Sequence, residues 1–365
     1  DYRTSWVMEK VSNAKYRDTN GWYHIYVAID RSLATAGDRT KVYVNGERIT
    51  SWVASTDYSQ QTSGSHSGAI SMNNDYTTYI GGREDSSDYF DGIISHLYWV
   101  DGSVIDIAQF GSTDSTTGEW KINTSPTIAS YGENGHSHFK DVASVNDASS
   151  EGNNFTLANG TLTKTEDNPS NVFCTLNPLS KVAGGGSGTL SYGNTRLSSG
   201  QGYYDRTYGT IGATKGKFYY ECKYISHNMH GNSNSFGMPF GITGTANVND
   251  SVDLSQGVND YSYGYDGSDA KIYNNNVGTT WGSTLLNSTG QIGMCAFDLD
   301  NNKIYFGVDG TWGNSSNPSS GTGGHSIADV STTQLGFYFP LAGDRSSARS
   351  YVYDFNFGNG YFGTT

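Results

Sequence analysis

A chain of 365 residues leaves room for about two domains, each large enough to bury a core. Only 35% of the residues are hydrophobic and 16% charged, yet 13% are aromatic, a balance that argues against disorder and for a turn-rich all-β protein with hydroxyl and amide groups toward water. The formal net charge of −13, with no local cluster of Lys and Arg, repels phosphate backbones and argues against nucleic acid as a partner, and no apolar run approaches the ~20 residues that cross a bilayer.

The opening DYRTSWVMEK is polar and lacks an initiator Met, so the expectation is a chain that begins inside a longer protein. From Gly21, GWYHIYVAIDRS predicts a strand with Trp22, His24, Tyr26 and Ala28 on one face and Tyr23, Ile25, Val27 and Ile29 on the other. KVYVNGERI follows, and its Asn45-Gly46 pair is a strong hairpin signal. YTTYIGG (76–82) and FDGIISHLYWVDG (90–102) predict further strands. This order, W-Y-H, VYVNG, IGG and FDG-I, resembles a laminin-G-like, concanavalin-type jelly roll. Such domains carry several strands before the W-Y-H strand, and only twenty residues precede it here. The resemblance therefore implies that the opening strands lie upstream or come from another chain.

Between Ser103 and Asn168 the pattern loosens. Phe110, Trp120 and Tyr131 are spaced like anchors fastening an extended segment to a sandwich, IDIAQF allows a single helical turn, and 153–165 predicts a strand and turn. Pro169, Pro178 and Gly184 to Gly186 mark the domain boundary, giving a first domain over 1–168, a connector over 169–187 and a second sandwich over 188–365.

In the second domain, QIGMCAFDLDNNKIYFGVDGTWG (291–313) shows period-two alternation on both sides of Asn301-Asn302, which predicts a two-residue turn in a hairpin apolar on both faces. Such a hairpin needs cover on both sides and belongs in the middle of a sandwich. The series GKFYYECKY (216–224), FGITG (240–244), YSYGYDG (261–267), this hairpin and GFYFPLA (336–342) resembles a SPRY domain. That resemblance implies a bent β-sandwich that contacts protein partners through loops and holds no catalytic residues. Cys174, Cys222 and Cys295 cannot all pair within one chain. Free buried thiols are expected, so the chain is able to fold in a reducing cytoplasm even if it works outside the cell.

The whole series is similar to virion proteins of tailed, particularly marine, bacteriophages. It is carried by DGIISHLYWVDG, FGSTDSTTGEW, SYGENG, EGNNFTLAN and NPSNVFCTLNPLS between the two sandwich patterns. The resemblance implies a non-enzymatic structural component of a tail fibre or other appendage, made in the host cytoplasm and exposed on the virion surface. It would contact other virion proteins and host-surface glycan or protein. Phage fibres are commonly trimers, which implies a homo-oligomer. The runner-up is a secreted or cell-surface lectin-like adhesin, and the third reading a carbohydrate-active enzyme.

Chemistry finds little support in the residues. Glycanases of the concanavalin type set two carboxylates alternately along a strand, whereas Glu84, Asp85, Asp88 and Asp91 lie in a Gly/Ser-rich loop without alternation. Asp298, Asp300, Asn302 and Asp309 echo a calcium loop, but Lys303 stands where that loop requires Gly, so a turn capped by acids and amides is expected. Some laminin-G-like domains bind calcium, yet no ligand set can be picked out. His136 and His138 face one way on a short strand at a chelating spacing, with no Cys or third His nearby, and are read as structural. There is no GxSxG elbow, and AGGGSG and SGTGG lack the Lys-Ser/Thr pair and helix of a phosphate loop. No catalytic residue, metal site or cofactor is therefore assigned.

A binding surface remains. Tyr203, Tyr204 and Tyr208 lie in a loop-rich stretch, Tyr261, Tyr263 and Tyr265 alternate along one strand, and Trp281 and Trp312 follow Gly/Thr-rich turns. Such rings stack on sugars or bury amphipathic area against a partner. For the Tyr triplet, packing into the core or against a neighbouring chain is favoured over a ligand face.

Overall fold

The computed structural model describes residues 8–18, 21–58, 77–82, 89–90, 92–116, 118–140, 143–162, 164, 167–180, 188–200, 206–228, 240–245, 261–275, 277–283, 285–343, 350–358 and 362. Their regular structure is nearly all strand, and every sheet pairing is antiparallel. The chain divides into two compact units, one of Asp1–Lys164 with Asn168–Val172, the other of Thr165–Asp167 with Phe173–Thr365. No helix among the described residues is long and apolar enough to cross a membrane.

The first unit is a set of small sheets. Strand β1 (Glu9–Ser12) pairs with β5 (Trp52–Thr56), while β2 (Ile25–Ile29), β3 (Thr40–Val44) and β4 (Glu47–Arg48) form a three-stranded sheet. Strand β6 (Leu97–Trp99) pairs with β9 (His136–His138), and β7 (Gly111–Thr113) with β8 (Trp120–Ile122). Asn45 and Gly46, at φ 49° and 78°, make the β3–β4 turn as their sequence predicts. Strand β2 is shorter than its alternation suggested because the ladder ends where β3 turns: the His24 N–H donates to Asn45 Oδ1 at 2.8 Å.

Of the strands predicted over 76–82 and 90–102, the first is not found among the described residues and the second is shortened. Described residues 77–82 are irregular, and the 90–102 run contracts to β6. Gly81 and His96 take φ of 79° and 54°, left-handed backbone that a pleated ladder does not accept. Described residues 153–162 form no strand either, since the Asn153 N–H and the Asn154 side chain are committed to a turn around Asp147. Phe110 and Trp120 do act as anchors. Phe110 is buried against His24, Tyr26 and Tyr98, and Trp120 stacks on His24 at 5.9 Å.

The second unit is a two-layer sandwich. Its strands are β10 (Thr189–Ser191), β11 (Arg196–Ser198), β12 (Arg206–Tyr208), β13 (Lys217–Asn228), β14 (Phe240–Thr243), β15 (Ser262–Asp266), β16 (Lys271–Asn274), β17 (Val277–Thr280), β18 (Ile292–Asp298), β19 (Lys303–Val308), β20 (Thr311–Trp312), β21 (His325–Ser326), β22 (Phe339–Gly343) and β23 (Ser350–Asn356). The larger sheet runs β10-β11-β23-β13-β18-β19-β20, with β21 also on β19, and the smaller runs β12-β22-β14-β15-β16-β17. Between them lie Tyr220, Cys222, Cys295 and Phe306 from one sheet and Phe240, Ile242, Tyr265 and Ile272 from the other, all buried. Phe306 meets Phe240 at 5.5 Å edge-on and Tyr265 at 5.3 Å in a stack, which fixes the sheets face to face.

Residues 173–180, inside the stretch read as connector, fall in this unit. Leu176 is fully buried and bridges to Gly209, while Ser180 Oγ lies 3.0 Å from Thr207 Oγ1. The β18–β19 hairpin is central, as its two apolar faces required, but its loop is four residues rather than two. Asp298 pairs with Lys303, and the Asp298 carboxylate accepts from the N–H groups of Asp300 and Asn301 and from Asn301 Nδ2. Leu299 is buried and donates its N–H to Gly216. The acids of the apparent calcium loop thus cap turns, Asp309 accepting from the Ile292 N–H at 2.8 Å. All three cysteines are free, Cys222 and Cys295 fully buried, and burial pushes both thiols above their ordinary range.

Candidate functional site

The eight aromatic residues singled out from the sequence do not form one surface. Tyr203 and Tyr204 lie outside the described residues, as do Glu84, Asp85, Asp88 and Asp91. Tyr208 is half-buried against Phe339 at 5.4 Å. Tyr261 is half-buried at the start of β15, and the other two rings of its triplet turn into the sandwich. Tyr263 is 5% and Tyr265 0% exposed, and the Tyr263 hydroxyl accepts from the Ala328 N–H at 2.8 Å. Trp281, 2% exposed, donates its ring N–H to the Phe306 carbonyl at 2.8 Å. The physical reason is that β15 has neighbours on both edges and a second sheet over its ring face, so alternation placed its tyrosines inside and no open ligand face forms there.

Trp312 differs. It is half-buried on the outward face of the larger sheet, where β13 brings two residues that the sequence reading did not select. Tyr220, Cys222 and Tyr224 point into the core, so Tyr219 and Glu221 point out. Tyr219 is 49% exposed, and its ring lies 6.1 Å from that of Trp312, inclined at 67°. Its hydroxyl donates to Glu221 Oε1 at 2.6 Å. Partial burial first, and then the hydrogen bond and charge of Glu221, hold the Tyr219 phenol well above its ordinary pKa, so it stays a donor. The signal was present in GKFYYECKY, whose alternation sends every second residue outward.

In the first unit, His136 and His138 are 7% and 1% exposed, with rings 5.0 Å apart and both packed edge-on against Phe155. His138 Nδ1 donates to the Asn146 carbonyl at 3.1 Å, which leaves the lone pair on Nε2. That nitrogen and His136 Nδ1 are buried without a hydrogen-bond partner among the described residues. Burial, then the neighbouring His138, lowers the His136 pKa below its ordinary 6.5. Among the described residues no group of three or more His, Cys, Asp or Glu converges as a metal centre would require.

Beside the histidines, Asp147 organises the loop. Its carboxylate accepts from the N–H groups of Ser137, Ser149 and Asn153 and from the Ser149 hydroxyl, at 2.6 to 2.9 Å. Partial burial alone would raise its pKa, but these donors outweigh that and bring it to about 2.

No protein-family model matches the chain, and no curated protein matches it. Among solved structures, the SPRY domain of human HERC1 is similar over 49% of this chain and 96% of its own length, at 16% identity and a TM-score of 0.36.

Proposed function

We propose that this chain is a non-enzymatic component of a tailed-bacteriophage virion, part of a tail fibre or other external appendage. In it a laminin-G-like unit and a SPRY-like unit contact other virion subunits and host-surface glycan or protein. The observation that carries the binding half of this reading is the exposed Tyr219 ring against the half-buried Trp312, with Glu221 beside it. Rings of this kind add contact area at small entropic cost, and a carboxylate with an acceptor to spare orients a hydroxylated partner. The virion half rests on the phrases of residues 90–180. SYGENG and EGNNFTLAN surround the Asp147 turn, and NPLS places Asn177 and Ser180 against β12. Segments that lock backbone in place suit a durable part better than a site of turnover.

In a homo-oligomeric appendage the chain is exposed on the particle after assembly in the host cytoplasm. Antibodies raised against the chain and imaged on intact phage particles test this directly. Labelling of the tail or its fibres is expected, whereas particles that carry no label while infected-cell lysate does would refute it. Incubation with host polysaccharide is expected to release no reducing sugar, and sustained release would overturn the non-enzymatic assignment.

A further inference from the structure

The outward face of the larger sheet has a layout that core packing does not require. Register sets Tyr219 beside Ala296 and then Tyr305, and Glu221 beside Met294, Gly307 and then Trp312. Tyr219 and Trp312 therefore stand on strands three places apart, roughly 14 Å at the usual strand spacing, yet their rings meet at 6.1 Å. Both side chains must lie down across the sheet toward each other. Of the residues between them, Ala296 and Gly307 are small and Met294 is flexible, while Tyr305 lies buried beside them. A Cβ on Gly307 would sit 2.6 Å from Met294 Cε and 2.6 Å from the Thr311 carbonyl, so the floor between the rings closes only with glycine there. Met294, 6% exposed and on the same face, fills that floor.

The result is a shallow corner walled by two inclined rings, floored by a thioether, with Glu221 at one side. One carboxylate oxygen holds Tyr219, and the other accepts no hydrogen bond from any described residue.

We infer that this corner binds a neutral pyranose. The apolar C–H face of a sugar ring packs on an aromatic face, and its equatorial hydroxyls donate to the open Glu221 oxygen. The Tyr219–Glu221 hydrogen bond pre-sets both groups before the ligand arrives, which limits the ordering cost of a shallow site. An acidic sugar would bring a second carboxylate against Glu221 on a chain of formal net charge −13, so uronic and sialic acids are disfavoured. The inference deepens the contact-surface reading above and rests on it, but not on the virion setting, because it is measured on the isolated chain.

The test is titration of the full chain with cellohexaose and chitohexaose as neutral probes and hexagalacturonate as the acidic control, read by tryptophan fluorescence and saturation-transfer NMR. Saturable binding of at least one neutral probe is expected. Trp312→Ala should weaken it at least tenfold and Tyr219→Ala by a similar factor, in chains whose cooperative thermal melts show that both remain folded. Glu221→Gln keeps the fold's outer surface and should narrow the gap between neutral and acidic probes. Three results would overturn the assignment: no binding of either neutral probe, binding that both ring variants leave intact, or equal affinity of the unaltered chain for hexagalacturonate. Absence from virions together with saturable sugar binding would sink the virion setting and leave the site standing.

Discussion

The two units solve the same problem with different materials. In the second, two broad sheets close on a continuous aromatic interior in which Phe240, Tyr265 and Phe306 touch one another across the layers. In the first, no sheet among the described residues exceeds three strands. Order there comes from side chains that hold backbone, above all Asp147 and its four donors. Burial supplies non-directional stability that scales with area, whereas a hydrogen-bonded turn stabilises only the loop it closes. A wide sheet also offers a flat outer face, and that is where Tyr219, Glu221 and Trp312 stand.

The comparison breaks first at Phe306, which is fully buried. Phe306→Ala removes ring contacts to Phe240 and Tyr265 of the facing sheet and should destabilise the second unit by about 3–5 kcal/mol, measured by urea denaturation of the tryptophan signal. Asp147→Ala is expected to cost the first unit about 2–3 kcal/mol, because the Ser137 N–H and its companions lose a charged acceptor. Limited proteolysis between residues 136 and 154 should accelerate accordingly. Gly46→Ala sharpens the contrast at one turn. With φ at 78° and Trp120 Cε3 2.2 Å from the new Cβ, a loss of about 1–2 kcal/mol is expected, visible in a thermal melt.

The smallest effect is that of pH. His24, His136 and His325 have folded-state pKa values lowered by burial. The unfolded chain therefore takes up protons first as pH falls, and stability should decline once pH drops below about 6.5. Asp147 works from the other side. Its carboxylate falls from an ordinary 3.8 to about 2 in the fold, so its contribution is complete above pH 3.8 and is lost as pH falls through 2. A melting temperature that rises between pH 7 and 5 would contradict the histidine assignment.

How much of this was legible in the chain differs between the units for the same reason. Strict alternation in 291–313 located the central hairpin, and Asn45-Gly46 located a turn, because both signals are local. The turn after β18 came out longer than expected, since Asp298 draws Asn301 into a capped loop through contacts that spacing does not reveal. In 76–102 apolar alternation suggested strands, while left-handed backbone at Gly81 and His96 decided otherwise. The aromatic site was half legible. Trp312 was selected for its residue type, but Tyr263, Tyr265 and Trp281 have the same type and lie inside. Ring identity says that area will be buried, and only the sheet order says against what.

Hydrogen exchange followed by mass spectrometry tests the contrast most directly. Peptides from β13, β18 and β19 should exchange only through global opening of the sandwich, and those from residues 136–154 through openings of much lower free energy. Equal protection of the two sets would mean that the first unit is held by a buried core after all, contradicting this account.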